Sequence, residues 1–283
     1  MMDNYFEVKI SFNKENYNHL HNGLYMQGIK NILEENGFII IYFPEVDGGD
    51  IDSLKDFLLN EKVIKEKDFE VNKFQNKNWN AEWEKSIEPV YIRNRIVIYP
   101  SWKRKVLKDI KNKILIEIDP KMSFGTGHNE TTQLILELMS DNLEGNEMKL
   151  LDFGCGTGIL AIAGLKLGVN EAIAIDIDED SIQNANEYFK LNLVHDKIKL
   201  LKTNISNLDE DSFDVICANI IRNVIIENME HISAKINPNG KLFLSGILIS
   251  DDQEILECLT QNNFKVVDIA VKSEWIGIYA IKS

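Results

Sequence analysis

Apolar and polar positions alternate in two different ways along this chain. From about residue 89 to the C-terminus, short runs that are apolar throughout alternate with segments in which apolar residues recur every three or four positions. The first pattern predicts buried strands and the second predicts helices. Fully apolar strands that alternate with helices are typical of a parallel sheet with helices on both faces. We therefore expect an α/β fold in this region.

The predicted elements of this region follow one another closely. Two strand-like segments, YIRNRIVIYP and ILIEIDP, come first. The later predicted strands are KLLDFG, AIAIDID, DVICANI, KLFLSGIL, FKVVDIAVKS and WIGIYAIKS, and the predicted helices are ILAIAGLKLG, EDSIQNANEYFKLN, VIIENMEHISAKI and DDQEILECLTQNN. A short turn joins the last two strands, so we expect them to form an antiparallel pair at one edge of the sheet.

The N-terminal part of the chain has shorter elements of mixed type. The alternation YFEVKISF, which begins at Tyr5, predicts a strand, and helical spacing runs from about Asn16 to Glu35, where Gly37 ends it. A strand FIIIYF, a short helix DSLKDFLLNE and a strand FEVNKF follow. This pattern predicts a compact α+β domain over residues 1–75.

A segment rich in Asn and Lys separates the two predicted domains. Residues 76–88 have no deep apolar face, which predicts a linker before a second domain over residues 89–283. Helical spacing is present around Trp79 to Lys85. Because Trp79 and Trp83 are four positions apart, we expect them to hold the linker onto a neighbouring domain, with contact to a substrate as the alternative.

The charge balance limits the classes of partner. The chain of 283 residues has 45 acidic and 31 basic side chains, a formal net charge of -14. Binding to duplex DNA requires many Lys or Arg contacts to phosphate, so we do not expect a general DNA-binding surface. An acidic surface attracts a basic partner through long-range electrostatics.

Cysteine content and hydropathy indicate the compartment. Cys155, Cys217 and Cys258 are too few and too scattered for a disulfide framework, and they lack the spacing of metal ligands. The N-terminal MMDNYFEVKI does not have the pattern of a signal peptide, and no apolar run is long enough to span a membrane. We therefore expect a cytoplasmic protein with no metal site and no membrane contact.

A glycine-rich turn, LLDFGCGTGIL, follows the first strand of the regular alternation. Gly154, Gly156 and Gly158 allow a sharp turn from strand to helix and let a ligand approach the backbone. Asp176 ends the next predicted strand, where a carboxylate can accept hydrogen bonds from both hydroxyls of a ribose. Since ligands bind at the carboxyl ends of strands in such sheets, we expect a nucleoside here, with a purely structural tight turn as the alternative.

The spacing of these glycines argues against a dinucleotide. The fingerprint G-x-G-x-x-G starting at Gly154 requires glycine at position 159, where this chain has Ile159. The turn also has no basic residue for a pyrophosphate. An oxidoreductase that uses NAD therefore stays a less favoured alternative.

An earlier glycine-rich stretch, MSFGTGHNETTQL, precedes a predicted helix. It has no lysine at the position that a phosphate-binding loop requires, so hydrolysis of a nucleoside triphosphate is disfavoured. Phe124 to Gly127 are expected to form a turn with exposed backbone, and Thr131 or Thr132 to begin the helix TTQLILELM. Such a helix N-terminus can bind a carboxylate, and ordinary N-capping without a ligand is the alternative.

Asn219 ends the predicted strand DVICANI, on the same edge of the sheet. Its side-chain carbonyl could accept a hydrogen bond from the amine of a substrate, with backbone carbonyls accepting another. The alternative is that asparagine stands at a strand end because it tolerates turns.

Together these segments resemble a known family. LLDFGCGTG, with Asp176 after the next strand, resembles the S-adenosylmethionine-binding core of class I methyltransferases. A narrower resemblance is to the PrmA family, which methylates large-subunit ribosomal protein L11. The segments that resemble this family are DPKMSFGTGHNETT, LLDFGCGTGILAIAGLKLG, AIDID, ANI and LSGIL, together with NWNAEWEKSIEPV in the linker and YPSW at Tyr99 to Trp102. The resemblance covers roughly residue 76 to the end.

The resemblance implies a fold and a set of site residues. The implied fold is a Rossmann-like class I methyltransferase domain, with a mostly parallel seven-stranded sheet between helices, and a small ferredoxin-like N-terminal α+β domain. The implied cofactor contacts are Thr132, Gly154, Asp176 and Asn219, with Gly156 and Gly158 in the same turn, and with Phe124 and Thr126 in a loop that closes over the methionine part.

Two stretches depart from the family pattern. The family loop more often reads Gly-Thr-Gly-Thr-His-Pro-Thr-Thr, whereas Asn129 stands here where that loop has histidine, so a role for that histidine is not carried over. The family often has Leu-Ala after Asn-Ile, where this chain has Ile221 and Arg222. We expect the substrate side of the site to differ accordingly.

The resemblance also implies an activity. It implies transfer of methyl groups from S-adenosylmethionine to lysine side chains, N-terminal amines or both of ribosomal protein L11, with the N-terminal domain recognising that protein. Asn219 is the expected catalytic residue, because its carbonyl can hold an uncharged amine in line. We expect a monomer. The alternatives are a class I methyltransferase of another protein or a small molecule and, less favoured, the NAD-dependent oxidoreductase.

Overall fold

The computed structural model describes residues 5–14, 16–29, 32–35, 37–44, 48–74, 87–119 and 127–283. The chain divides into two compact units, Met1–Ser86 and Ile87–Ser283. The predicted linker over residues 76–88 lies outside the described residues except at its last two positions, so its helical spacing and the roles of its tryptophans stay predictions.

The N-terminal unit is a four-stranded antiparallel sheet with two helices on one face. Its strands are β1 (Tyr5–Ser11), β2 (Leu33–Glu35), β3 (Phe38–Pro44) and β4 (Phe69–Phe74), and its helices are α1 (Tyr17–Met26) and α2 (Gly48–Asn60). The strand order is β2-β3-β1-β4. Val8 and Ile39 from the sheet form a buried core with Leu20 and Leu58 from the helices. This element and strand order is ferredoxin-like and confirms the predicted α+β fold.

One predicted helix of this unit is too long. The helical spacing extended to Glu35, but α1 ends at Met26. Gly28 has a φ of +78°, and a residue in the left-handed region shortly after a helix ends it. The later part of the segment is the short edge strand β2, which pairs with β3.

The C-terminal unit contains a seven-stranded sheet. Its strands are β8 (Lys149–Phe153), β9 (Glu171–Asp176), β10 (Ile198–Lys202), β11 (Phe213–Asn219), β12 (Ile236–Leu248), β13 (Phe264–Lys272) and β14 (Trp275–Lys282). Their order is β10-β9-β8-β11-β12-β14-β13. The first five are parallel, and β14 pairs antiparallel with both β12 and β13. The predicted α/β architecture and the antiparallel pairing of the last two strands are confirmed.

Helices cover both faces of this sheet. They are α3 (Glu130–Asn142), α4 (Ile159–Leu167), α5 (Glu179–Leu191), α6 (Arg222–Glu227), α7 (Met229–Lys235) and α8 (Asp252–Gln261). A separate three-stranded sheet is formed by β5 (Val90–Ile92), β6 (Ile96–Tyr99) and β7 (Ile114–Glu117). The adjacent residues Leu150 and Leu151 are both fully buried, in cores on opposite faces. Burial on both faces is the reason why the strands are apolar along their whole length.

Three sequence predictions in this unit were wrong in detail. The strand β10 was missed, because its sequence IKLLK carries two lysines and lies at the sheet edge. The segment YIRNRIVIYP is a hairpin and not one strand, since the chain turns at Arg93, where φ is 45°. The predicted helix VIIENMEHISAKI is divided into α6 and α7 at Asn228, where ψ is 7°.

The strand order creates one place for a ligand. From β8, the chain first adds β9 and β10 on one side and then crosses to β11 on the other side. Where the strand order reverses, the carboxyl ends of neighbouring parallel strands are left uncovered by crossing connections. The ends of β8, β9 and β11 therefore border a crevice.

A buried ion pair lies close to the amino ends of these strands. The Nζ atom of Lys241 donates to Oε1 of Glu147 at 2.7 Å, and the N–H groups of Glu144 and Gly145 donate to the same carboxylate at 3.0 and 2.9 Å. Burial acts to raise the pKa of Glu147, but these hydrogen bonds outweigh it and lower that pKa to about 2. The carboxylate is therefore held in its charged form.

We expect Glu147→Gln to lower the free energy of unfolding at pH 7 by about 2–4 kcal/mol, because the neutral amide leaves the Lys241 ammonium without its buried counter-charge. The folded pKa lies below the ordinary value of 4.5, so the stabilisation is complete above about pH 4.5 and is lost as the pH falls toward 2. Urea unfolding between about pH 6 and pH 3 measures this change.

Glu144→Gln is the matched control for this prediction. The Glu144 carboxylate lies 3.6 Å from the same ammonium, but its side chain is 71% exposed. We expect this change to cost at most about 0.5 kcal/mol. Equal losses in the two variants, or a Glu147→Gln loss that stays constant across this pH range, would contradict the assignment.

Candidate active site

A large cavity of about 910 Å³ opens at the carboxyl ends of β8, β9 and β11. Its described lining comes entirely from the C-terminal unit, and much of it is apolar. The turn after β8, the end of β9, the end of β11 and the N-terminus of α3 each contribute polar groups. A volume of this size accommodates a nucleoside with an amino-acid tail.

The turn after β8 is held against β9 by backbone hydrogen bonds. The N–H groups of Gly154 and Cys155 donate to the carbonyl of Ile175 at 2.9 and 3.0 Å. Gly154, Gly156 and Gly158 have φ angles of 73°, 53° and 73°, a region that strains any residue with a Cβ. The three glycines therefore make the sharp strand-to-helix turn that the sequence predicts.

Ile220 packs against two glycines, Gly154 through its side chain and Gly246 through its backbone. A Cβ at Gly154 would lie 2.5 Å from Cγ2 of Ile220, and a Cβ at Gly246 would lie 2.4 Å from the Ile220 carbonyl oxygen. Neither position leaves room for a side chain. Since Ile220 directly follows Asn219, the two glycines fix the position of the chain at the end of β11.

Asp176 links the end of β9 to the glycine turn. Its Oδ2 atom accepts a hydrogen bond from the N–H of Gly156 at 2.9 Å, and its Oδ1 atom accepts one from the N–H of Asp178 at 3.0 Å. The half-buried carboxylate also lines the cavity. Each carboxylate oxygen can accept a second hydrogen bond, so both oxygens remain able to bind hydroxyl groups of a ligand.

Asn219 and the N-terminus of α3 present oxygen atoms that lack partners. The side-chain Nδ2 of Asn219 donates to Oγ1 of the fully buried Thr132 at 3.1 Å, which orients the amide. The Oδ1 atom of Asn219 and the Oγ1 atom of Thr131 are buried, and neither has a hydrogen-bond partner among the described residues. An unpaired buried oxygen costs about 1–3 kcal/mol, which a ligand with suitable donors would recover.

The charged side chains that line the cavity have the same sign. Among the described lining residues, Glu130, Asp176 and Glu227 carry carboxylates, and there is no lysine or arginine. Such a lining attracts a cation and opposes a pyrophosphate. A feature suited to a carboxylate is the N-terminus of α3, where the Asn129 side chain makes no capping hydrogen bond to the first backbone N–H groups of the helix.

The structure brings together most of the residues that the sequence singles out. Gly154, Gly156, Asp176 and Asn219 line the cavity, and Thr132 lies directly behind Asn219. Gly158 is not among the lining residues. It is the N-cap of α4, and a Cβ there would lie 2.2 Å from the ring of Phe189. Its predicted cofactor contact stays a prediction. Phe124 and Thr126 lie outside the described residues.

Sequence reasoning missed other residues of this region. Thr203 and Asn204 line the cavity directly after β10, and they could not be placed because that strand was not predicted. Asp152 was also missed, although a carboxyl in the apolar strand KLLDF was a visible signal. Its Oδ2 atom accepts a hydrogen bond from the N–H of Ala161 at 3.0 Å.

Asp152 is fully buried beneath the glycine turn. Burial raises its pKa to about 7, the hydrogen bond from Ala161 opposes this shift, and the charge of Asp176 adds to it. At neutral pH this carboxyl is therefore partly protonated. It anchors the first turn of α4 and lies outside the cavity lining.

The described residues contain no group of three or more His, Cys, Asp or Glu side chains that could hold a metal ion. A search of the same residues finds no helix with the length and apolar character that a membrane crossing requires. The expected absence of a metal site stays a prediction.

Comparisons with known proteins agree with this site. The family model described as "Ribosomal protein L11 methyltransferase (PrmA)" matches residues 4–283. A ribosomal protein L11 methyltransferase from Thermoanaerobacter pseudethanolicus is 33% identical over 98% of this chain and 88% of its own length. Another from Bacteroides thetaiotaomicron is 36% identical over 87% of this chain and 90% of its own length.

A solved structure gives the same result. The crystal structure of a ribosomal protein L11 methylase from Lactobacillus delbrueckii subsp. bulgaricus superimposes with a TM-score of 0.64 at 29% identity, and the match covers 70% of this chain and all of that chain. The resemblance expected from the glycine turns and strand ends is thereby confirmed over nearly the whole sequence, including the N-terminal unit. The chain belongs to the ribosomal protein L11 methyltransferase (PrmA) family.

Proposed function

We propose that this protein transfers methyl groups from S-adenosylmethionine to lysine side chains, N-terminal amines or both of ribosomal protein L11. Family membership supports the methyltransferase activity and this acceptor. The observation that carries the proposal is the cavity. Its described charged side chains are all carboxylates, and its buried oxygens on Asn219 and Thr131 have no partner in the part of the chain that the structure describes. This combination suits a cationic donor with an amine.

The residues of the cavity fit the parts of S-adenosylmethionine. Asp176 would accept hydrogen bonds from the ribose hydroxyls, and the glycine turn leaves its backbone open beneath the nucleoside. The free N–H groups at the start of α3 would bind the carboxylate of the methionine part. Bound in this way, the cofactor supplies a methyl group on a positively charged sulfur, and after transfer the sulfur is part of a neutral thioether.

The protein has to provide an uncharged amine in line with that methyl group. A lysine must first lose the proton of its ammonium group to bulk water, and the apolar walls of the cavity then favour the neutral amine through desolvation. We propose that Oδ1 of Asn219 then accepts an N–H of the amine and directs the nitrogen lone pair. Such positioning lowers a barrier by up to about 7–11 kcal/mol.

The chain divides into two units, and we propose that they have different functions. We propose that residues 1–75 recognise the acceptor protein, that residues 76–88 connect the units, and that residues 89–283 carry out methyl transfer. The net charge of -14 favours a basic acceptor such as a ribosomal protein. We further propose that the protein acts in the cytoplasm as a monomer.

Two alternatives remain distinguishable by experiment. One keeps methyl transfer and replaces the acceptor by another protein or a small molecule. The other is an NAD-dependent oxidoreductase, which is opposed by Ile159 in the turn and by the lack of Lys or Arg among the described lining residues of the cavity.

Asn219→Ala tests the catalytic assignment. Removing the carbonyl that orients the amine is expected to lower kcat by about 100-fold or more, because an interaction made in the transition state is lost. Methyl transfer with labelled cofactor measures kcat, and calorimetry with S-adenosylhomocysteine measures cofactor binding. Asn146→Ala, at an exposed asparagine that precedes β8 whereas the cavity lies at the carboxyl end of that strand, is the control and should keep wild-type rates. Full turnover of Asn219→Ala with normal cofactor affinity would disprove the role.

Asp176→Ala tests the cofactor site. Loss of charge-assisted hydrogen bonds to the ribose is expected to weaken binding of S-adenosylmethionine by about 10- to 100-fold. Calorimetry measures this affinity, and the exposed Asp180→Ala controls for the loss of one negative charge near the same strand. Titration of the wild-type protein with NAD completes the experiment. Binding of NAD in preference to S-adenosylmethionine would favour the oxidoreductase.

The acceptor is tested with intact ribosomal proteins. In cells that lack this gene, mass spectrometry of the large-subunit proteins is expected to find ribosomal protein L11 lighter by one or more methyl groups, and the purified protein should restore them. Unchanged L11 together with a mass loss in another protein would support the alternative acceptor.

A further inference from the structure

One short segment of the C-terminal unit has a charge opposite to that of the rest of the chain. Residues 102–113, WKRKVLKDIKNK, contain six of the 31 basic side chains and one of the 45 acidic side chains. The formal charge of these residues is therefore +5, whereas the other residues, with 25 basic and 44 acidic side chains, carry -19. We name residues 102–113 the basic segment.

The basic segment connects β6 to β7 and lies beside the cavity. It begins in a short 3-10 helix, Ser101–Val106, which follows β6. Nζ of Lys103 lies 2.6 Å from Oε1 of Glu88. The carbonyl oxygen of Glu88 lies 3.0 Å from Nε2 of His128, which lines the cavity. Two contacts therefore connect the basic segment to the cavity wall.

Three lysines of the basic segment are free to bind an anion. Lys105, Lys108 and Lys111 recur at every third position, and all three are exposed. None of them forms an ion pair or hydrogen bond with a residue that the structure describes. Leu107 and Ile110 stand between them and are half-buried, so these apolar side chains anchor the segment while the lysines remain at the surface.

Exposed aromatic rings accompany these lysines. Trp102 is 39% exposed and Tyr91 of β5 is 48% exposed. Side chains three positions apart eclipse in a 3-10 helix, so Trp102 lies on the same face as Lys105. The ammonium of Lys113 lies 5.1 Å from the centroid of the Tyr91 ring. Rings on which bases stack, next to ammonium groups that contact phosphates, are the combination with which proteins bind single-stranded nucleic acid.

The charge of the remaining chain narrows the class of partner. A membrane would bring the acidic remainder close to anionic lipids, and the basic segment contains no amphipathic α-helix. A duplex requires phosphate contacts along a longer basic surface than three unpaired lysines supply. An acidic polypeptide would contact the lysines and leave the rings unused. A flexible single strand uses both, and it can follow the basic segment while avoiding the acidic surface.

We propose that the basic segment binds single-stranded RNA. Phosphates of the RNA contact Lys105, Lys108 and Lys111, and a base stacks on Trp102. The choice of RNA over DNA rests on the proposed function, because a ribosomal protein has RNA as its binding partner. RNA bound here lies beside the cavity, so an acceptor that carries RNA is held at a raised local concentration near the reacting groups.

The combined change Lys105→Gln, Lys108→Gln and Lys111→Gln in the full-length protein tests the electrostatic part of this proposal. Fluorescence anisotropy with a labelled single-stranded RNA of about 12 nucleotides measures the affinity at several salt concentrations. For the wild-type protein, three phosphate contacts at about 0.7 each predict a slope of about -2 for log K against log salt. We expect the triple variant to bind at least about tenfold more weakly at low salt, with a slope near zero.

Trp102→Ala tests the stacking part. We expect it to weaken RNA binding by about fivefold or more, since stacking on one ring contributes about 1–3 kcal/mol, which corresponds to at least about fivefold. The salt slope should stay at about -2, because no phosphate contact is removed. A single-stranded DNA of the same sequence should bind no more tightly than the RNA.

Matched controls lie outside the basic segment. Lys190→Gln, Lys197→Gln and Lys265→Gln together make the same change in net charge at three exposed lysines. Tyr25 of α1 is 69% exposed, and Tyr25→Ala removes an aromatic ring elsewhere. Both controls should keep the wild-type affinity and salt slope. Circular dichroism of all variants establishes that they are folded, and methylation of RNA-free L11 should stay within about twofold of wild type in each.

The outcomes separate this proposal from the proposed function. Equal losses of RNA affinity in the two triple variants would overturn the proposal in favour of an unspecific charge effect. An oligoglutamate of equal charge that binds as tightly as the RNA would overturn it in favour of an acidic polypeptide. RNA binding by a protein that does not methylate L11 supports the RNA surface and removes the proposed function. Methylation of L11 without RNA binding does the reverse.

Discussion

The close packing of Gly154 and Gly246 around Ile220, at the carboxyl ends of β8, β11 and β12, is the constraint on which the site depends. Gly154 and Gly246 contact Ile220 from two sides, at distances that exclude a Cβ. This packing fixes the position of Asn219 at the edge of the sheet, where Thr132 can orient its side-chain amide. The glycines therefore help to position the polar groups of the site as well as to form the turn, because a wider separation of these segments would move Asn219 away from α3.

Electrostatics then selects the ligand that this geometry can hold. The described lining offers carboxylates without Lys or Arg, and a helix N-terminus supplies the contrasting N–H donors. A phosphate would be repelled, whereas a ligand that is cationic at its centre and anionic at one end matches both features. Asp152 contributes differently: its buried carboxyl, with a pKa near neutrality, anchors α4 behind the turn without adding a full charge close to Asp176.

From the sequence we could predict the regular strands and helices of this fold and the residues that contact backbone groups of the chain. Fully apolar strands such as KLLDF and FDVICAN predicted the central sheet, and glycine spacing with Asp176 predicted the turn that borders the cavity. The edge strand β10 was not predictable in the same way, because an edge strand with exposed lysines lacks the fully buried pattern. The helix ending at Met26 was overextended because periodicity continues past Gly28, whose left-handed φ ends the helix.

Contacts between distant segments lie beyond what a single sequence can indicate. The hydrogen bond from Asn219 to Thr132 joins residues 87 positions apart, and the steric need for glycine at position 246 appears only when the Ile220 carbonyl is in place. The aromatic contacts of the N-terminal sheet are similar, since Tyr5, Tyr42 and Phe74 come from three strands whose pairing makes them neighbours.

An enzyme that modifies a protein gains from placing recognition and chemistry in different units. The cavity in the C-terminal unit is largely apolar, with few polar groups, and such a site distinguishes poorly between one lysine and another. Binding energy from a remote surface raises the local concentration of one acceptor without requiring new contacts around the reacting nitrogen. The division of this chain into two compact units is the arrangement that such a separation requires.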